Sequence, residues 1–448
     1  MNNTAEVISA YTDRSGGMQS ATDDFGHIIR SRPRGVLAAH SEDAVRDLIS
    51  FAGPRGLPVT ARGSGYAPYG QGQAHGGYVV DMRPLDDVRC FPAERTLSAG
   101  AGAPWREVVR AALAAGLAPP VGPDHLDASV GGLLSAGGFG GTSHRHGLVA
   151  DQVVDIDVIT GAGQVLTCSR EHHPDLFDAV PAGLGQCALI LRATLRLAPA
   201  PDRVRRFRLY HSSPRSYVAD QRRLCEDPRF SHVVGQVRPD VGGTWTYMIE
   251  AVAPHTRELP GGDGLLPDSL DHDRDTVEIE DLPYEEFLHR PERDERLLRT
   301  TGEWQRPHPW LSLLLPEDAV ASFVPDVLND PAQHGLRTSG VVQLRPLTGR
   351  TLGASLLRRP AADRLCLLVL MRTATATDPV AVRRLVDANR AVYDRAKAVG
   401  GVLHPMSAVP MTPADWRDHF GPVWREFAGT KARHDPHGIL TRGYGLWT

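Results

Sequence analysis

Ala61-Arg62-Gly63-Ser64-Gly65-Tyr66-Ala67-Pro68-Tyr69-Gly70-Gln71 stands between two strand-like runs, Leu57-Pro58-Val59-Thr60 before it and Tyr78-Val79-Val80-Asp81-Met82 after it. Glycine tolerates positive φ values, so such a loop can turn successive backbone N–H groups toward one anion. A dinucleotide with its pyrophosphate suits a loop of this kind, and an ordinary tight turn between strands satisfies the same residues. The rest of the chain decides between them.

Working outward, residues 34–62 read as strand, helix, strand. Ser41 can cap a helix whose apolar positions Ala44, Val45, Leu48, Ile49 and Ala52 follow helical spacing, and Gly53-Pro54 and Gly56 stop it. A second helix starts at Pro104, carries Trp105, Val108, Val109, Ala112 and Leu113 on one face, and ends at Gly116. Val130 to Gly141 holds six glycines in twelve residues. That density predicts neither a regular helix nor a strand, but a backbone that passes close to another segment or a ligand. Val153 to Thr167 predicts a hairpin with Val154, Ile156 and Val158 on one face and Gly161-Ala162-Gly163 at the turn. Leu189-Ile190-Leu191 and Thr194 to Leu197 continue the strand pattern until Ala198-Pro199-Ala200-Pro201 breaks it, where a domain boundary is expected.

Beyond that boundary the texture is mixed. Strands are expected over Thr244–Val252, Val341–Leu347 and Leu365–Arg372, helices near Glu285–Leu298 and over Pro379–Ala398, and an acidic loop around Pro260-Gly261-Gly262-Asp263-Gly264. Trp416 to Thr448 reads as a helix followed by Asp435-Pro436-His437-Gly438-Ile439-Leu440. The class is α+β.

The chain has 448 residues, which predicts two domains or one large domain with an insert. A net charge of −4 gives no bulk argument for nucleic acid or an anionic membrane as partner. Five cysteines without a CxxC pair suggest reduced thiols, and the N-terminus Met1-Asn2-Asn3-Thr4-Ala5-Glu6 has no basic or apolar signal character, so the cytoplasm is the expected location. No Gly-Lys-Ser/Thr follows the glycine-rich segment, which excludes a P-loop. His144-Arg145-His146 reads as an extended structural segment, and no metal is expected.

Three side chains stand out as carriers of chemistry. Asp124 after Pro123 is either a solvated loop carboxylate or an acid–base group beside a ligand, with Asp127 its nearest rival. Glu250, inside Met248-Ile249-Glu250-Ala251-Val252, either alternates into water or is paired at a cavity. Trp310 is a core tryptophan or a pocket wall.

The ordered series runs Asp24-Phe25-Gly26, Arg62-Gly63-Ser64-Gly65, Gly70-Gln71, Pro123-Asp124, Val130-Gly131-Gly132 and Arg145-His146-Gly147. It continues through Asp157 to Gly161, Asp175 to Val180, Gly183 to Gln186, Tyr284 to Leu288 and Pro307-His308-Pro309-Trp310-Leu311. It closes with Asp415-Trp416, His419-Phe420-Gly421, Asp435-Pro436 and Ile439-Leu440. Together these pieces resemble the cytokinin dehydrogenases, within the FAD-linked oxidases of the vanillyl-alcohol-oxidase (PCMH-type) fold, over nearly the whole chain. The resemblance implies an FAD-binding domain in residues 1–200, a substrate or cap domain in 201–412, and a return to the first domain in 413–448. It implies FAD contacts at Ala61, Arg62, Gly63, Ser64, Gly65, Tyr66, Ala67, Gln71, Asp124, Ser129, Ser135, Phe139, Leu189 and Thr441. It implies Asp124 as general base, Glu250 as a substrate hydrogen-bonding group, and Trp310 as a pocket wall.

The implied activity is FAD-dependent abstraction of a hydride from a carbon next to N or O of a small, planar or apolar metabolite. Alcohol oxidation, oxidative cyclisation and a non-catalytic FAD-fold protein are the alternatives. The electron acceptor stays open between oxygen and a quinone-like compound. The chain departs from the family at several points. Tyr66 stands where the plant enzymes have a flavin-linked histidine, and no cysteine lies in 130–146, so FAD held without a covalent bond is expected. Tyr444 replaces a glutamine, Met406 a tyrosine near the flavin ring, and Ser312 an asparagine of the substrate pocket.

Overall fold

The computed structural model describes residues 17–240, 243–255, 262, 264–375 and 377–447. Met1 to Glu6, Thr448, and Pro260, Gly261 and Asp263 of the expected acidic loop lie outside the described residues.

The first part of the chain builds two small sheets. Strands β1 (Gly35–Ala38), β2 (Val59–Arg62) and β3 (Tyr78–Asp81) form a parallel sheet in the order β1-β3-β2. The crossover from β1 to β2 is the helix Glu42–Ala52, where Ser41 accepts from the Ala44 N–H at 3.2 Å and Val45, Leu48, Ile49 and Ala52 are buried. Glu42 and Asp43 in its first turn complement the helix dipole. An antiparallel sheet follows from β4 (Val88–Phe91), β5 (Thr96–Gly100), β7 (Val153–Thr160), β8 (Val165–Ser169) and β9 (Ala188–Arg196), in the order β4-β5-β9-β7-β8. A short pair, β6 (Leu117–Ala118) with β10 (Ala198–Pro199), closes this part. One apolar core spans it, with Trp105, Val108, Leu134, Ile156 and Leu189 among its members.

The second part is one antiparallel sheet of eight strands. They are β11 (Arg203–His211), β12 (His232–Pro239), β13 (Trp245–His255), β14 (Glu278–Pro283), β15 (Leu311–Pro316), β16 (Gly340–Thr348), β17 (Arg364–Arg372) and β18 (Val402–Leu403). Their order is β14-β11-β13-β12-β16-β17-β15-β18. Strand side chains alternate between faces. Phe207, Leu209, Ile249, Ala251, Val233, Val237, Val342 and Leu344 therefore enter a second core with Tyr217, Val324 and Tyr393 from the covering helices. The opposite face carries Arg206, Arg208, His232, Glu250, Gln343 and Arg345. That polar patch, on a face whose Leu314, Leu367 and Val369 join the first core, is where the site begins.

The last residues return to the first part. Helices Pro413–Phe420 and Trp424–His434 precede a segment that runs along β2: the Val59 N–H donates to the Ile439 carbonyl at 2.9 Å, and the Thr441 N–H donates to that of Val59 at 2.9 Å. Asp435, fully buried, fixes the turn by accepting from Lys431 Nζ (2.6 Å) and from the N–H groups of Ile439 (3.1 Å) and Leu440 (2.9 Å).

Several expectations need correction. Val130–Ala136 is helical despite its glycines: Gly131 is required because a Cβ there would lie 2.9 Å from that of Ala101, and the turn ends at Gly137 and Gly138, with φ of 103° and 75°. A register shift between Val153 and Asp155 leaves Val154 only half-buried while Ile156 and Val158 enter the core. The helix expected over Glu285–Leu298 is two, Tyr284–His289 and Glu292–Thr300, divided at Arg290-Pro291. The C-terminal helix is likewise divided at Gly421-Pro422. His144-Arg145-His146 lies in a helical turn, Ser143–His146, rather than extended.

Candidate active site

The loop after β2 is tied down from one side. Phe25 and Gly26 donate their N–H groups to the carbonyls of Gly65 (2.9 Å) and Ala67 (3.2 Å), and buried Asp24 accepts from the N–H of Gly70 at 2.6 Å. This accounts for Asp24-Phe25-Gly26 as part of the ordered series. With its carbonyls bound behind, the loop faces a cavity of about 320 Å³. The wall brings together Ala61, Arg62, Gly63, Ser64, Gly65, Tyr66, Ala67 and Gln71 with Ser129, Ser135, Phe139, Leu189, Met406, Thr441 and Tyr444. Residues from five separate stretches of sequence thus meet in one hollow.

The wall has a polar and an apolar portion. Among the described residues, the N–H groups of Gly63, Ser64, Gly65, Tyr66 and Ala67 donate to no protein acceptor. Arg62 Nη1 is also buried without a partner. Successive backbone donors turned toward one hollow without protein acceptors suit an anion. Gly63 is glycine for want of room, since a Cβ there would collide with Ser129 Oγ. Met82, Ala101, Leu133, Ala136 and Ile190 supply the apolar surface that a planar ring system needs. Donors for a diphosphate and a flat apolar slot for rings fit FAD.

Tyr66, Met406 and Tyr444 lie in the same wall. Tyr444 reaches Met406 Sδ at 3.5 Å, and burial pushes its phenol upward. Burial, reinforced by Asp127, pushes the Tyr66 phenol up to about 12. Both phenols therefore stay protonated at neutral pH. His404, unanticipated from sequence, lines the cavity with Nε2 2.9 Å from the Ala136 carbonyl and its ring edge-on to Phe139.

Asp124 departs from its expected place. Pro123 lines the cavity and Asp124 does not; the carboxylate is drawn instead to Arg345 Nη2 and to Arg290 Nη2, the latter at 3.4 Å. Arg290 also holds Glu250, with Nε 3.0 Å from Oε1. His232 Nε2 lies 3.5 Å from Glu250, and Arg206 lies 3.7 Å from its other oxygen. Glu250 is therefore paired and largely buried rather than solvated. Burial would raise both carboxyls, but the adjacent arginines, with the hydrogen-bonding contact of His232 to Glu250, outweigh it. Arg345 and Arg290 hold Asp124 well below the usual carboxylate range, and Arg290 and His232 bring Glu250 down to about 2. Asp127, the rival, pairs with Arg106 on a half-exposed surface. His125, Asp127 and Glu295 place ligand atoms within 4.8 Å of one another, but Arg106 and Arg299 already balance the two carboxylates.

Trp310 and Ser312 do not line the cavity. Trp310 packs edge-on to Phe25 at 4.9 Å, in a cluster where Phe25 also stacks on His308 at 4.2 Å. Ser312 is buried in β15, its N–H donating to Ser407 Oγ at 2.9 Å. Arg290, Arg345, Arg206 and His232 were not anticipated. An arginine inside the largely apolar run Val341–Leu347 is the same anomaly as Glu250, and it is a readable signal for this cluster.

Comparison with known proteins places the whole chain. A family profile described as "FAD binding domain" matches residues 33–169, and one described as "Cytokinin dehydrogenase 1, FAD and cytokinin binding" matches residues 264–447. The chain is 37% identical to an "Uncharacterized oxidoreductase ORF5 in fasciation locus" of Rhodococcoides fascians, over 96% of this chain and 97% of that protein. It is 33% identical to "Cytokinin dehydrogenase 6" of Oryza sativa subsp. japonica, over 96% and 89%. It is 29% identical to "Cytokinin dehydrogenase 2" of Arabidopsis thaliana, over 96% and 92%.

Proposed function

The chain belongs to the cytokinin dehydrogenase family, as an FAD-dependent oxidoreductase, and from that premise we propose that it oxidises a secondary amine borne on a planar ring, with Asp124 as the proton acceptor. The observation that carries this reading is the pairing of a donor-rich cavity with an ionised carboxylate one residue beyond its wall at Pro123.

The reaction removes a hydride from carbon and a proton from nitrogen, leaving a C=N bond that water cleaves to an aldehyde and a free amine. FAD, when bound, supplies the hydride acceptor. The loop Gly63–Ala67 and Arg62 hold the diphosphate, and Leu189, Phe139 and Ser135 position the rings. Asp124 receives the proton on an oxygen that keeps a free lone pair beside its arginine contact, and each arginine fixes one oxygen in place. Glu250 orients the substrate's polar edge from the facing sheet.

In this reading residues 1–200 and 413–448 form the FAD domain and 201–412 the substrate domain. FAD is held without a covalent bond, because Tyr66 stands where the linking histidine is expected and no cysteine is among the residues that line the cavity. The altered wall at Tyr444 and Met406 favours a substrate whose alkyl part differs from that of the plant enzymes. The proposed location is the cytoplasm, supported by five unpaired cysteines; among the described residues no helix is long and apolar enough to cross a membrane.

The test is anaerobic bleaching of the yellow enzyme by a panel of N6-alkylated adenines, N6-(2-isopentenyl)adenine among them, with products identified by mass. The expected outcome is loss of flavin absorbance with one equivalent of aldehyde. Bleaching by alcohols alone would overturn the amine reading.

A further inference from the structure

Arg290 occupies the break between the helices Tyr284–His289 and Glu292–Thr300, where Pro291 ends one turn and starts the next. Its guanidinium lies over the Phe287 ring at 4.0 Å and donates from Nη1 to the Phe287 carbonyl at 3.0 Å, so its fork has one orientation. In that orientation Nη2 is 3.4 Å from Asp124 Oδ1 and 3.0 Å from Glu250 Oε1, and it is 3.3 Å from His232 Nε2. Asp124 and Glu250 come from different parts of the fold and converge on a single nitrogen.

The other charged groups here do not share this position. Arg345, on β16, binds Asp124 and the Gln343 side chain. Arg206, on β11, lies 3.7 Å from Glu250 and binds Glu280 on the exposed edge strand. His232, on β12, is buried, and burial lowers it, so it stays neutral at neutral pH. Among the described residues Arg290 is thus the cation in contact with both carboxylates. Two buried carboxylates this close do not both ionise unaided; one takes up a proton and the pair titrates as a unit.

Taking Asp124 as the proton acceptor proposed above, we propose that Arg290 is a positioning residue that clamps Asp124 and Glu250 as two ionised carboxylates and so keeps the acceptor empty of its proton before substrate arrives. The sign follows from the contact. Arg290 favours the charged form, so Asp124 is ionised throughout the working range and loses its charge only in strong acid. Without Arg290 that loss begins at higher pH. Arg345 remains, so a rise of about one to two pH units is expected.

The measurement uses the FAD-bound enzyme labelled with ¹³C at aspartate Cγ, the Asp124 signal being assigned by its absence in Asp124→Asn. In the wild type the signal stays at the carboxylate position down to the acid limit of the fold. In Arg290→Gln it titrates about one to two units higher, and anaerobic reduction of the flavin by a substrate begins to fall off at a higher pH than in the wild type. Arg290→Lys keeps the charge but not the fork, and is expected to give a smaller rise. It decides the matter alone if Arg290→Gln does not fold. An Asp124 titration unchanged in the folded variant overturns the inference. An Asp124→Asn enzyme that reduces as fast as wild type would instead overturn the assignment of the proton acceptor, and the carbon titration stands apart from that outcome.

Discussion

The cavity behind Gly63–Ala67 and the cluster around Arg290 lie side by side and are built on opposite principles. The cavity presents donors without acceptors, carried by the backbone of one short stretch. The cluster presents charges already matched to one another, carried by side chains 166 and 221 residues apart in sequence from Asp124. An unmet backbone site waits for a ligand that brings the anion with it. A matched cluster holds its own charge state ready and needs the ligand only to bring a proton. The difference separates holding a cofactor from doing acid–base chemistry, and it implies that the two can be damaged independently.

The strongest way to break that division is to remove residues from Pro413 onward. This deletes the strand-like contact with Val59, the Asp435 turn, and the walls supplied by Thr441 and Tyr444. No flavin is expected to remain with the truncated chain on gel filtration; a yellow, soluble product would show that the tail does not complete the cavity. Gly63→Ala is the next largest. Its Cβ collides with Ser129 Oγ, and overpacking of about 1–3 kcal/mol predicts FAD bound about 10–100-fold more weakly, read by fluorescence titration, with the fold intact. Unchanged affinity would place the diphosphate elsewhere.

A smaller change sharpens the cofactor side. If FAD is held without a covalent bond, as proposed, Tyr66→Phe should leave FAD bound, and acid precipitation of either protein should release all flavin into the supernatant. A fluorescent washed pellet from the wild type, lost in Tyr66→Phe, would contradict this. The smallest effect is Asp127→Asn. Its half-exposed pair with Arg106 is of a kind worth about 0–1 kcal/mol, so flavin content and reduction rate should change less than about twofold.

The same contrast explains what could be read from the sequence. The helix after Ser41, the hairpin at Gly161-Ala162-Gly163 and the strand–loop of Val59 to Ala67 depend on neighbours in sequence, and their caps and glycines announce them. Val130–Ala136 misled because its glycines signal close packing on Ala101 as much as irregular backbone. Strand β11 was obscured by Arg203, Arg205, Arg206 and Arg208, which meet acidic strand β14 across the sheet, where Arg208 sits opposite Glu278. Glu250 and Arg345 each look costly within an apolar strand, and only the three-dimensional fold shows that Asp124 and Arg290 complete them. A loop position such as Arg290 carries no local pattern at all.

The most direct test of the account is the Asp124→Asn enzyme, purified with its flavin and reduced anaerobically by a bleaching N6-alkylated adenine in a stopped-flow instrument. Full flavin content is expected, with reduction slowed by about 10²–10⁴-fold, the usual contribution of a general base. Full flavin content with a wild-type rate would contradict it.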